Sequence, residues 1–370
     1  MFRTLVGMRI LITTTGFPGH VLPLVPFARA YQEAGHSVNV AGPRSCQPIV
    51  AGAGLGFVPC ADLPADEVQR VLAAAATMSR ADGHAHIISE GFAGVAARTL
   101  AQDMQTIVRT WRPDLVLHES QEFAAATAAE RARIPHARVA LGLSSTEQET
   151  LELAGGKSSP LLTLVPPSFD DGDAVTTCRF RERRAAPTQQ DGGEPLVYVT
   201  FGSVAATLGY FPDLYRAVID GLADLPARFL VTTAADELGP VPPNVCVLRW
   251  VPQDTVLEGA AAVVSHGGYG TVLGALAHGL PQAVMPLFAQ DQWRNARRVA
   301  ELGAGVALEG PPRDTFAPPG PEVLAALPGA VEHVLLRERY ARAAGELAED
   351  IAVLPPVADV VSALHPEVPA

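Results

Sequence analysis

Short apolar runs, each the size of a buried strand, recur along this chain and alternate with stretches of helical period. Residues 8–15 (MRILITTT) read as the first strand, 16–20 as a turn, and 21–34 as a helix closed by Gly35. Further strands are expected at 37–41 and at 115–118 (LVLH), the latter ending at Glu119-Ser120. This strand–turn–helix–strand order predicts a parallel sheet with helices on its faces. The pattern opens afresh at 196–201 (LVYVTF), turns at Gly202-Ser203, and continues with strands at 228–232, 245–250, 260–264 and 282–285. Helices are expected at 272–279, 296–302 and 357–364, with a polar loop at 290–295.

Between the two halves, residues 155–194 are rich in Gly, Pro, Asp and Arg and hold no sustained period, which predicts an interdomain linker at 185–194. Within this stretch Asp170-Asp171-Gly172-Asp173 reads as a solvated turn, not as a carboxylate metal site. Residues 62–110 read as mostly helical, with a loop at 79–86 that would leave His84 and His86 solvated. Gly52, Gly54 and Gly56 follow a helical stretch and read as a structural turn, so a dinucleotide site in this half is not expected.

Composition narrows the class. A length of 370 residues is too much for one ordinary core and suits two domains. Hydrophobic residues at 48% against 18% charged describe a well-buried α/β protein. The net charge of −12 argues against a nucleic-acid surface, which is normally basic. Four scattered cysteines, Cys46, Cys60, Cys178 and Cys246, give neither a zinc signature nor a disulfide framework, so a reducing cytoplasm is the expected compartment. The first nine residues make a poor signal peptide, Met8 is an alternative start to Met1, and no apolar run reaches membrane-spanning length.

Chemistry concentrates at Ser265-His266-Gly267-Gly268-Tyr269-Gly270-Thr271, where a buried strand passes through a glycine-rich turn into a helix. A helix start offers unpaired N–H groups and the positive end of its dipole, and glycine lets an anion come close to the backbone. The plainer reading is a tight strand-to-helix turn without a ligand. In the first half, His20 and Glu119 fall at the carboxyl edge of the expected sheet, where open α/β sheets place their ligands.

Three blocks then stand in order: Leu248-Arg249-Trp250-Val251-Pro252-Gln253, the glycine-rich turn, and Pro286 to Asn295 with Asp291-Gln292 at its centre. Together with Gly19-His20 they resemble the signature of the GT-B glycosyltransferases, in the bacterial antibiotic-type branch that uses UDP- and TDP-sugars. The resemblance covers nearly the whole chain. It implies two Rossmann-like domains facing across a cleft: an acceptor domain over 1–188 with its linker to about 194, a donor domain over 195–354, and a helix in 355–370 crossing back to the first.

It also implies roles. Trp250 and Val251 would hold the pyrimidine base. Ser203, His266, Gly267, Gly268, Gly270 and Thr271 would bind the diphosphate. Asp291 and Gln292 would hold sugar hydroxyls, with Asn295 reaching sugar or phosphate. His20 would be the general base, with Glu119 as its acidic partner. Gly274 stands where UDP-sugar members carry an acidic residue for the ribose, which points to a dTDP-deoxysugar donor. The reaction expected is inverting, metal-independent glycosyl transfer of the hexosyltransferase type onto a hydrophobic small-molecule aglycone. No cofactor is expected beyond the dTDP- or UDP-sugar co-substrate, and no nucleic acid or membrane partner; a homodimer is left open. Two alternatives stand beside this: a nucleotide-sugar epimerase or hydrolase on the same fold, and a non-catalytic auxiliary binding protein.

Overall fold

Two parallel sheets organise the chain, here described from a computed structural model at residues 7–172, 177–182, 193–233, 238–311 and 313–364. The first contains β1 (Arg9–Thr13), β2 (Ser37–Pro43), β3 (Gly56–Cys60), β4 (Leu115–Glu119), β5 (His136–Val139), β6 (Leu161–Thr163) and β7 (Thr177–Arg179). Among the described residues its order is β3-β2-β1-β4-β5-β6-β7, and every pairing is parallel. The second holds β8 (Leu196–Thr200), β9 (Arg228–Thr232), β10 (Val245–Leu248), β11 (Ala262–Ser265), β12 (Gln282–Val284) and β13 (Gly305–Ala307), in the order β10-β9-β8-β11-β12-β13. The central strands are apolar on both faces because helices cover both. Ile10, Leu11 and Ile12 are fully buried, as are Val263 and Val264.

The strand order fixes where ligands can go. In each sheet the order reverses between its first and fourth strands, and the loops leaving those strands diverge there to open a crevice. In the first sheet these follow β1 and β4, with His20 in the segment after β1 and Glu119 at the very end of β4. In the second they follow β8 and β11, and carry Ser203 and the glycine-rich turn.

Several local expectations are corrected. The chain turns helical at Pro18–Val21, passes through a 3-10 turn at Leu22–Leu24 and resumes as an α-helix at Val25–Glu33, so His20 sits inside a helical turn. Proline suits the first turn of each segment because its missing N–H is not needed there. The stretch at 79–86 is helical from Arg80, since the Ser79 hydroxyl accepts the Asp82 amide as an N-cap. It runs on through a π-helical segment at Ile87–Ala96 into Ala97–Trp111. His84 is correspondingly not solvated: its side chain is largely covered and its Nε2 lies 3.7 Å from Glu149. Gly56 opens β3, and β6 lies inside the stretch that showed no period. Asp170 is not a solvated turn residue either. It is buried, accepts the Ser144 amide and hydroxyl, and pairs with Arg179 at 2.7 Å. The supposed polar loop at 290–295 forms the first turns of the helix Gln290–Glu301. Most of the expected linker, at 185–192, and the choice between Met1 and Met8 as start fall on or depend on residues outside those described.

The two halves share a core. Leu143, Val165 and Phe169 from the first sheet's side pack with Tyr269, Val272, Leu276 and Ala296 from the second's. Arg298 donates to the Ser168 and Phe169 carbonyls, and Arg294 reaches Thr146 and Glu149. After Pro355 the chain returns to the first sheet: the Val357 amide donates to Arg181, and Val360 is fully buried beside Tyr31 and Phe27. Phe169→Ala would empty a site in the shared core, and a loss of about 3–5 kcal/mol in stability is expected from urea unfolding. A loss below about 1 kcal/mol would show that the halves do not depend on this contact.

Candidate active site

Glu119 ends β4 with its side chain completely buried, a costly place for a carboxylate unless donors surround it. Four do. Oε1 accepts the Thr15 hydroxyl at 2.7 Å, the Thr15 amide at 3.1 Å and His20 Nδ1 at 3.0 Å, while Oε2 accepts the Gln121 amide at 2.6 Å. Burial pushes this carboxyl up, but the His20 charge and these hydrogen bonds outweigh it and hold the group below its ordinary range. Asp114, just before β4, instead receives the Arg9 amide at the other end of the strand.

The network also assigns the imidazole tautomer. The Thr15 hydroxyl proton points at Glu119, so its oxygen can only accept from His20 Nδ1, 3.1 Å away. Facing two acceptors, Nδ1 carries a proton in either charge state, so in the neutral ring the lone pair falls to Nε2. The ring stacks on Phe92 at 5.2 Å between centroids and leans on Phe17 at 5.5 Å. Phe92 comes from the π-helical segment, a distortion that often marks functional sites.

Across the cleft, the glycine turn leads into the helix Tyr269–Ala277, whose N-cap Gly268 makes no side-chain cap. The first-turn amides and the dipole are therefore available to an anion. Each neighbour of this turn has a reason to be what it is. Gly267 has φ +87°, and an added Cβ would lie 2.7 Å from the Gln292 carbonyl oxygen. His266 is wedged between Gly202 and Gly268, where added Cβ atoms would approach its ring to 2.8 and 2.7 Å. Burial lowers the His266 pKa to about 4, with hydrogen bonding to the Thr200 backbone acting the other way, so the ring is neutral near pH 7. Its Nδ1 is buried with no partner among the described residues.

The remaining expected site residues divide by what they touch. Asn295 is buried and donates to the Gly267 carbonyl at 2.8 Å, so it fixes the turn. Gln292 Oε1 accepts the Leu287 and Phe288 amides, which shapes the loop after β12. The Thr271 hydroxyl donates to Gln253, whose own amide donates to the Gly270 carbonyl. Ser203 and Trp250 are exposed, Trp250 by 75%, and Val251 is half-buried beside it. Gly270 has open space around its Cα. Asp291 lies in the first helical turn. Burial pushes its carboxyl up to about 6, while its own amide and then the His20 charge pull it down.

Three residues that complete these networks have no role assigned to them from the sequence: Thr15, Phe92 and Gln253. Thr15 follows a strand in a run of three threonines, Phe92 lies in an alanine- and glycine-rich helix, and both meet His20 only in three dimensions. Gln253 belongs to a block that the sequence does single out, yet its packing against position 274 is visible only in the fold: an added Cβ at Gly274 would meet its amide at 2.6 Å. Among the described residues no three His, Cys, Asp or Glu side chains gather as a metal-binding group, and no helix is long and apolar enough to cross a membrane.

Comparison with known proteins gives this geometry a context. The family model for the N-terminal domain of erythromycin biosynthesis protein CIII-like proteins matches residues 29–160, and that for the C-terminal domain matches 216–366. The chain is 33% identical to the L-demethylnoviosyl transferase of Streptomyces niveus, covering 83% of this chain and 86% of that one. It is 31% identical to the elloramycin glycosyltransferase ElmGT of Streptomyces olivaceus, with 97% of each chain covered. Among solved structures, the glycosyltransferase SnogD from Streptomyces nogalater superposes with a TM-score of 0.75 at 25% identity, covering 97% of this chain and 98% of that one. The glycosyltransferase SsfS6 of Streptomyces sp. SF2575, complexed with thymidine diphosphate, gives 0.75 at 26% identity, covering 96% and 99%. The two facing parallel-sheet domains are accordingly of the GT-B class.

The buried state of His266 is open to a direct check. Histidine NMR of the folded chain is expected to show this ring titrating near pH 4, against about 6.5 for an unperturbed histidine. Between those values the unfolded chain binds a proton that the folded chain refuses. The stability this group contributes is thus complete above about pH 6.5 and falls as the pH drops toward 4. A midpoint near 6.5 would contradict the wedged, desolvated ring.

Proposed function

This chain belongs to the antibiotic glycosyltransferase family of the erythromycin biosynthesis protein CIII-like proteins, and we propose that it transfers a deoxysugar from dTDP to a hydroxyl of a hydrophobic aglycone with inversion. The observation that carries this reading is the His20–Glu119 pair, whose bond at Nδ1 leaves Nε2 as the basic nitrogen of the neutral ring. In the proposed reaction Nε2 takes the proton of the acceptor hydroxyl as its oxygen attacks the anomeric carbon. The bond to the diphosphate breaks on the opposite face, so one displacement inverts the centre. Glu119, charged and immobile, stabilises the imidazolium that forms.

The leaving diphosphate would be held by the amides of the glycine turn and the helix Tyr269–Ala277, assisted by Ser203 and His266. Fixed dipoles of this kind stabilise developing negative charge without reorganising. They can do the electrostatic work of a divalent ion, and full turnover in the presence of a chelator is expected. Trp250, with its exposed ring, would stack on the base, and Val251 would meet it through the backbone. Asp291 would accept from sugar hydroxyls. Gln292 has its oxygen committed to the loop and would act through its amide, while Asn295 and Thr271 would serve by fixing the turn. The dTDP preference is supported by Gly274, which offers no carboxylate to a ribose 2′-hydroxyl, and by a structural relative solved with thymidine diphosphate.

Two measurements test the reading. His20→Ala is expected to lower turnover by about 10²–10⁴-fold while leaving dTDP affinity by calorimetry within about threefold. Retained turnover would remove His20 from the chemistry. Calorimetry with dTDP- and UDP-sugars is expected to favour the former, and tighter UDP-sugar binding would overturn the assignment of the donor.

A further inference from the structure

Between the first sheet and the helices Phe123–Ala132 and Ser144–Leu153 lies a cavity of about 250 Å³. It opens where β5 begins, where the helix Phe123–Ala132 ends and where the chain enters β6. Arg138, His118 and His136 line it from the sheet, and Ser159, Lys157 and Glu130 from the surrounding segments. The register pairs His118 with Arg138, and the Arg138 amide donates to the Pro160 carbonyl, next to Ser159.

Arg138 is only 6% exposed, yet its Nε and Nη1 are buried without a partner, and the 7% exposed Ser159 hydroxyl is likewise unpaired. Buried donors left unmade are costly, and a guanidinium more so than a hydroxyl. Here orphaned donors from two segments line the same cavity. A fixed cation excludes a metal ion from this place, and the planar fork of a guanidinium suits two oxygens of a carboxylate or phosphate. We propose that this cavity binds a small oxyanion, held by the Arg138 guanidinium with the Ser159 hydroxyl as a second donor.

The surroundings agree in part and oppose in part. Lys157 adds a cation at the rim, where its Nζ lies 2.7 Å from Glu130 and offsets that carboxylate. Glu147, beyond Arg138, is pushed by burial to a pKa of about 7 and so carries a reduced charge near neutrality. The helices Phe123–Ala132 and Ser144–Leu153 both present their negative ends nearby, which weakens an anion site. His118 and His136 approach to 3.2 Å. Burial comes first in holding both neutral; for His118 the neighbouring ring and Arg138 add to it, and for His136 Arg138 and Lys157 do, against Glu130. One of the facing nitrogens therefore donates to the other, and an anion beside them would raise both rings' proton affinity.

The test is histidine NMR of the whole chain titrated with inorganic phosphate and, separately, with acetate, the two signals being assigned with His118→Gln and His136→Gln. A saturable shift of the His118 and His136 signals is expected, and whichever anion binds more tightly distinguishes a phosphate from a carboxylate ligand. Ser159→Ala, which removes one hydroxyl and leaves the fold intact, is expected to weaken binding about threefold or more, and Arg138→Met about tenfold or more. Signals that stay in place with both anions would overturn the proposal, as would shifts confined to His266 or an affinity unchanged in Ser159→Ala.

Discussion

A carboxylate that water cannot reach sets the terms for one side of this protein. Glu119 sits at the end of a central strand, and its burial is tolerable only because Thr15, His20 and Gln121 supply four donors to its two oxygens. The same bonds leave His20 no freedom of tautomer. They turn its basic nitrogen outward, while Phe17 and Phe92 hold the ring from its sides. Strand order explains why these residues meet, since β1 and β4 are adjacent and their loops part at the reversal of the sheet.

The second domain solves the complementary problem of presenting positive potential without a charged side chain. A neutral His266 fills the space that Gly202 and Gly268 leave open, and Asn295 pins the Gly267 carbonyl from the neighbouring helix. The backbone amides of the turn are thereby held in one arrangement. The same helix, Gln290–Glu301, faces the first domain: Arg294 reaches Thr146 and Glu149, and Arg80 lies 4.4 Å over the Trp293 ring while donating to Gln290. One element thus buttresses the glycine turn, carries Asp291 and grips the opposite domain, so the two halves of the site share a mechanical frame.

Much of this was legible in the residues because local rules carry it. Parallel strands covered on both faces read as apolar runs, and glycine between a strand and a helix reads as a turn with free amides. What stayed hidden was set by three-dimensional packing. The strands β6 and β7 are three residues each, too short for a period, and Asp170 is buried because Arg179 from β7 and Ser144 meet its carboxylate there. The helix at Arg80–His86 contains a glycine and two histidines, weak helix formers that the Ser79 cap and tertiary contacts override. Thr15 and Phe92 are ordinary in sequence and acquire their roles only through His20. The blocks around Asp291 and Thr271 come together beside the glycine turn, where Gln292, Asn295 and Thr271 spend hydrogen bonds on the scaffold itself.

The central claim is spatial: amides near Gly268 cradle a leaving diphosphate across the cleft from the imidazole of His20. A crystal structure with dTDP bound tests it most directly. The account predicts diphosphate oxygens within hydrogen-bond distance of the first-turn amides of the helix Tyr269–Ala277, with the thymine over Trp250 and the β-phosphate directed toward His20. A diphosphate bound elsewhere, or separated from His20 by a wall of protein, would contradict it.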